Sequence, residues 1–225
     1  MNHSILTRIL AVLLAVLLAL AGTCALADEA AEAAAIADSI CARAAAHEKD
    51  VTPLLQSLES DSRRLISLEH RLKTPESVAR KLLLNAHDME ISLEEAAQTL
   101  HDALRYTFCI GDAEYIAGVD AILKSLTERG FGVARFKNTW GERGYKGINT
   151  NLTAPDGYWF EVQFHTPDSY DAKEDKTHSL YEIVRSEEST AAEKAEAAAR
   201  QNEIFDTVPV PEGAAGYAWK EPSKP

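Results

Sequence analysis

The stretch Phe160–His165 leaves few folds open to the chain that contains it. Phe160, Val162 and Phe164 alternate with Glu161, Gln163 and His165, the period of two that gives a β-strand one apolar and one polar face. The apolar face has to be covered by another layer. The polar face carries an acid, an amide and an imidazole, which a plain surface strand rarely does. "ALRYTFCI" repeats the pattern, with Leu104, Tyr106, Phe108 and Ile110 against Ala103, Arg105 and Thr107. Further strands are expected at 131–137, 145–153 and 158–165, the last two joined by the turn signal "APDG".

Helical signals surround these strands. Thr74 can cap a helix with Pro75 at its first position, Ser92 and Glu95 form a capping box, and the run from Tyr115 is stopped by Gly130. Residues 28–70 are rich in alanine and acids and place Leu54, Leu55, Leu58, Leu65 and Ile66 at helical spacing, the pattern of a helical arm. Residues 190–201 read as a solvated helix, followed by a tail. The order predicts an α+β fold: a mixed or antiparallel sheet of about four to five strands with flanking helices, preceded by the arm.

Residues 1–27 contain Arg8, an unbroken apolar run and the ending Ala25-Leu26-Ala27, the pattern of an export signal cleaved before Asp28. The rival readings are a membrane anchor over 9–26 and a lipid-modified Cys24, although Thr23 is a poor residue before a lipidated cysteine. The net charge of −12 becomes −13 once Arg8 is removed with that segment. Such a chain should avoid bulk DNA and should meet a membrane only through an uncleaved signal. The expected segments are 1–27 signal, 28–67 arm, 68–188 main domain, and 189–225 helix and tail. Cys41 and Cys109 remain after export; isolated and apolar-flanked, they fit buried thiols better than a bridge.

Three clusters carry chemistry. Arg71, Lys73, Ser77, Arg80 and Lys81 lead into and along the helix after Thr74, as either a solvated basic stripe or a grip for polyphosphate. Asp102 and Glu161 are carboxylates at a junction and inside a strand; either Arg105 neutralises one of them or the two meet on a divalent ion such as Mg²⁺. In "GYKGINTNL", Gly144 and Gly147 flank Tyr145 and Lys146. Tyr145 there is either packing or a stacking surface for a base.

The order Arg71-x-Lys73-x3-Ser77-x3-Lys81, then Asp102, "GYKGIN", Glu161-x-Gln163 with Thr166, and "THSLYE" resembles the synthetase domain of the RelA/SpoT family over residues 68–186. The resemblance implies a nucleotidyltransferase-like fold. The activity it implies is transfer of pyrophosphate from ATP to the 3′-hydroxyl of a purine nucleotide, or of tRNA in related toxins. Arg71, Lys73, Ser77 and Lys81 would bind ATP, together with Arg105. Asp102 and Glu161 would be catalytic and hold Mg²⁺, while Tyr145, Lys146, Asn149, Gln163 and His178 would bind the acceptor. Three positions differ from the family pattern. Arg105 follows Asp102 by three residues rather than five, with Thr107 in the usual place; Asn149 replaces a histidine; and His165-Thr166 replaces Arg-Thr. With an export signal and no room for the family's hydrolase domain, the implied role is an exported toxin with an immunity protein as partner. The other readings are an inactive nucleotide- or protein-binding module and a transferase acting on RNA ends.

Overall fold

A computed structural model describes residues 28–186 and 188–221 with their side chains. The expected signal, its cleavage point and the alternative anchor at 9–26 lie outside the described residues. No helix among the described residues is long and apolar enough to cross a membrane. The chain divides into two compact units, residues 1–43 with 73–100 and residues 44–72 with 101–225. Helix α1 (His3–Gln56) contributes to both.

The first unit contains α2 (Pro75–Met89) and α3 (Leu93–Thr99). Both start as their sequences dictate. Ser77 donates its backbone N–H to Thr74 Oγ1 at 3.3 Å, and Ser92 and Glu95 exchange the two bonds of a capping box. Val78, Leu82 and Ala86, spaced by four, are the buried stripe of α2, while Ser77 and Lys81 share a neighbouring face.

The second unit is built on five strands: β1 (Arg63–Ile66), β2 (Arg105–Ile110), β3 (Gly132–Asn138), β4 (Ile148–Thr153) and β5 (Trp159–His165), in the spatial order β1-β2-β5-β4-β3. Only β2 and β5 pair in parallel; the other neighbours are antiparallel, so the sheet is mixed. The apolar face brings together Tyr106, Phe108, Ile110, Phe160, Val162 and Phe164, all buried. Each contributes roughly 1.5–3 kcal/mol relative to an exposed position. Helix α4 (Tyr115–Thr127) covers it: Tyr115 donates its hydroxyl to the Phe164 carbonyl at 2.7 Å. A Cβ on Gly118 would come within 2.9 Å of Ile110, so the close helix-to-sheet approach depends on that glycine.

The α+β class, the mixed sheet and the preceding helical arm are as expected. The arm is shorter than its sequence suggested, because Leu65 and Ile66 belong to β1 rather than to a helix. Their run pairs antiparallel with β2, Leu65 opposite Phe108, and so covers an edge that would otherwise expose unpaired backbone. After β5 come α5 (Pro167–Asp171), one π-helical turn over Ala172–Lys176, α6 (His178–Arg185) and α7 (Ala191–Asp206). Cys41 and Cys109 are both unbridged, and Cys41 donates weakly to the Lys73 carbonyl within the first unit.

Candidate functional site

The polar face of the sheet follows from its register. Arg105 pairs with Glu161, Glu161 with Asn151, and Asn151 with Arg135; in the next row Thr107, Gln163, Asn149 and Lys137 stand side by side. Residues directly opposite one another project to the same face about 5 Å apart. Glu161 thus has a guanidinium-bearing neighbour on one side and an amide on the other. Parallel pairing of two strands distant in sequence is what creates that triplet.

This face opens on a cavity of about 450 Å³. Five of the expected residues line it: Arg105, Tyr145, Asn149, Gln163 and His178. The cavity has further walls, of which only Thr177 and Tyr181 belong to a motif the sequence singled out, "THSLYE". Lys173, Glu174 and Thr177 come from the π-helical turn and its end, Tyr181 from α6, and Gln201, Asn202 and Phe205 from α7, which was expected to be a solvated helix. The Lys173 ammonium lies 3.1 Å from Gln163 Oε1 and 2.6 Å from Glu174 Oε1. Burial lowers its pKa, and the Glu174 carboxylate only partly offsets this. Lys173 and Glu174 are carried on this π-turn, out of α-helical phase, and both border the cavity half-buried.

Tyr145 is held at both ends. Its hydroxyl donates to Asn149 Oδ1 at 2.9 Å and lies 2.8 Å from His165 Nε2, while its ring meets Phe205 edge-on with centroids 5.8 Å apart. Burial, with the Glu161 charge second, pushes its phenol far above the usual range. Its flanking glycines make this seat possible. Gly144 has φ +86° and a Cβ there would meet Asn202 Oδ1 at 2.7 Å, and one on Gly147 would meet His165 Cε1 at 3.0 Å. Tyr145 therefore presents a ring edged by aromatic neighbours rather than a freely exposed face.

Other expected site residues do other things. Lys146 is buried and its ammonium donates to the carbonyls of Trp140 and Glu142, tying down its own loop. Asp102 lies just before β2, half-exposed, beside His101, whose ring is tilted by 30° against that of Trp159 with centroids 4.1 Å apart. Neither Asp102 nor Glu161 is among the residues lining the cavity. Among the described residues no group of three or more His, Cys, Asp or Glu side chains is gathered to hold a metal ion. Mg²⁺ commonly takes one or two carboxylates and completes its shell with phosphate oxygens and water, so the hard-oxygen chemistry of Asp102 and Glu161 fits that ion in the presence of a phosphorylated ligand. Lys73, Ser77 and Lys81 belong to the first unit.

Arg71, expected to bind ATP, has two nitrogens committed inside the second unit. Nε donates to Glu48 Oε1 at 2.7 Å and Nη1 to the Leu68 carbonyl at 2.7 Å. Glu48 in turn accepts from Thr52, whose hydroxyl lies 2.6 Å from that of Tyr106. The bonds from Thr52 and Arg71 hold the Glu48 carboxyl below its ordinary 4.5. Arg71→Gln is expected to cost about 1.5 kcal/mol of stability, read from urea unfolding. A depressed carboxyl stabilises fully above its unfolded pKa, so the Glu48 share of the deficit should be present at neutral pH and vanish as pH falls below 4.5 through the lower folded value, while the share from the Leu68 carbonyl stays. An unchanged midpoint at pH 7 would show that the clamp adds nothing.

No family model and no curated protein matches the sequence. Solved structures similar in fold include the type VI effector Tas1 in complex with its immunity protein, at 18% identity and TM-score 0.49 over 75% of this chain and 94% of that one. They also include small alarmone synthetase 1 from Bacillus subtilis, at 16% and 0.45 over 76% and 88%, and a GTP pyrophosphokinase family protein from Streptococcus pneumoniae, at 11% and 0.45 over 76% and 82%. At these identities the likeness is one of fold alone.

Proposed function

We propose that the chain is a Mg²⁺-dependent pyrophosphotransferase that moves the β,γ-pyrophosphate of ATP to the 3′-hydroxyl of a purine nucleotide. The observation that carries this reading is the sheet face on which Glu161 stands in register with Arg105 and Asn151, beside a cavity of about 450 Å³ lined by Arg105, Lys173 and the Tyr145 ring. Phosphoryl chemistry asks a protein mainly for positioning and for charges aimed at phosphate oxygens, and cations beside a carboxylate supply both. In this reading Asp102 and Glu161 hold Mg²⁺, which when bound neutralises phosphate charge. Arg105 and Lys173 face the phosphates, Glu161 also accepts the proton of the acceptor hydroxyl, and Tyr145, Asn149, Gln163 and His178 shape the acceptor pocket. The ATP-phosphate role of Lys73, Ser77 and Lys81 is carried by motif spacing alone.

Cleavage before Asp28 and export as a toxin, kept in check by an immunity protein in the producing cell, complete the proposal. The apolar run of residues 1–27 is what supports it. Recovery of the protein from the producer's cytoplasm with residue 1 intact would remove that part.

The test is incubation of residues 28–225 with Mg²⁺ and γ-labelled ATP, with GDP, GTP, ADP, no added acceptor, or deacylated tRNA in separate tubes. Label on one nucleotide with matching release of AMP is the expected result. Label on tRNA, with salt-sensitive binding, would move the reading to RNA ends. A rise in melting temperature with ATP and no AMP would leave a nucleotide-binding module.

A further inference from the structure

Asn149 and His165, two positions at which the chain leaves the pattern it otherwise resembles, meet on one hydroxyl. Tyr145 Oη donates to Asn149 Oδ1 at 2.9 Å and lies 2.8 Å from His165 Nε2; the other ring nitrogen, Nδ1, lies 2.9 Å from Ser169 Oγ. His165 is fully buried. Burial, helped by the positive charges of Lys173 and Arg105, holds its ring neutral, with a pKa of about 3.

A neutral imidazole has one N–H and one lone pair, and a tyrosine hydroxyl has one proton. With that proton on Asn149 Oδ1, His165 must donate from Nε2 to Tyr145 Oη, and Nδ1 accepts the hydroxyl proton of Ser169. Ser169 Oγ is itself fixed, because it accepts the Thr166 backbone N–H at 3.0 Å. The Ser169 hydroxyl has a second acceptor in the Thr166 carbonyl, but at 3.3 Å it is the longer of the two, and the carbonyl oxygen of Asn149 is occupied. What Asn149 offers to the cavity is its N–H₂. Its register partner Gln163 is in the same state, since Lys173 takes its Oε1.

We propose that His165 is a positioning residue which, through the Tyr145 hydroxyl, fixes Asn149 as a hydrogen-bond donor, so that the subsite takes a ligand atom bearing a lone pair. An amide free to flip would have to be ordered when the ligand arrives; the chain from Ser169 to Asn149 removes that cost beforehand. The inference rests on the reading that the cavity takes a purine nucleotide.

Its test has two arms. The first is the nitrogen-15 spectrum of the histidine rings in the full-length protein, where His165 is expected as the neutral Nε2–H tautomer at neutral pH, with its Nε2 signal displaced in Tyr145→Phe. The second is calorimetric binding of ADP and of GDP. Tyr145→Phe and His165→Leu are each expected to weaken the preferred nucleotide about tenfold, His165→Gln, which can restore a donor to Tyr145, to recover most of that loss, and the double variant to be no weaker than the worse single one. A merely structural histidine would lower the melting temperature and give additive losses. The Nδ1–H tautomer, additive losses, or unchanged binding in Tyr145→Phe would overturn the inference. If His165→Leu does not fold, the tautomer and Tyr145→Phe decide it. A wild type that binds neither nucleotide would overturn the functional reading, and this role in recognition with it.

Discussion

Glu161→Gln is expected to cut AMP release from ATP by about a thousandfold while leaving the fold in place. Glutamine keeps the shape and the strand propensity of the residue and removes only its charge. On β5 that charge sits between Arg105 and Asn151 in register, on the face that leads to the cavity. If it holds the metal ion and takes the acceptor proton, an amide can do neither, and binding of ATP should survive while turnover does not. A plainer role is to balance Arg105 across the parallel pair. In that case the cost would appear as a lower unfolding midpoint, about 1–3 kcal/mol, with AMP release falling only in step with the folded fraction. Measuring both on the same preparation separates the two. AMP release within about tenfold of wild type would remove Glu161 from the chemistry.

The sequence made the two faces of β5 legible because strand geometry alone decides which residues share a side, whatever the neighbouring strands are. It could not reveal the neighbours. The pairing of Arg105 with Glu161 depends on β2 and β5 being the one parallel pair in an otherwise antiparallel sheet, and nothing local to either strand announces it. Leu65 and Ile66 misled for a related reason: two adjacent apolar residues in a short run fit a helix or a strand, and the free edge of β2 decided between them. Thr74, Ser92 and Gly130, by contrast, act within a few residues of themselves and were readable as caps and stops. Tyr145 was recognisable as a site residue, but not its constraint, which comes from His165 twenty positions away and from Phe205 on α7. Lys173 and Glu174 lie in "DAKEDK", a stretch with no local signal of a site. They lie half-buried on the π-turn and border the cavity.

That hidden lysine is the second test with a large expected effect. Lys173→Met keeps most of the aliphatic stem and removes the ammonium, and is expected to lower kcat/KM about a hundredfold, with Lys173→Arg recovering part of it. The reason is position: the ammonium borders the cavity, 3.1 Å from Gln163 Oε1, two residues along β5 from Glu161. Its titration gives a signature that a packing role would lack. Burial lowers the folded pKa from the ordinary 10.5, so over the window from that lowered value up to 10.5 the unfolded chain still holds a proton that the native protein has released. Stability contributed by this residue must therefore rise with pH across the window, because the unfolded state binds more protons there. Activity that needs the ammonium must fall across the same window. Wild type should show both slopes, opposite in sign, and Lys173→Met should show neither. At neutral pH the variant also strips Glu174 of the hydrogen bond and charge that hold its carboxyl down against burial, so its stability there is the net of two changes and decides less than the slopes do. A wild-type enzyme whose activity stays flat through that window, with kcat/KM of Lys173→Met within about threefold, would make Lys173 a tether for Gln163 and nothing more.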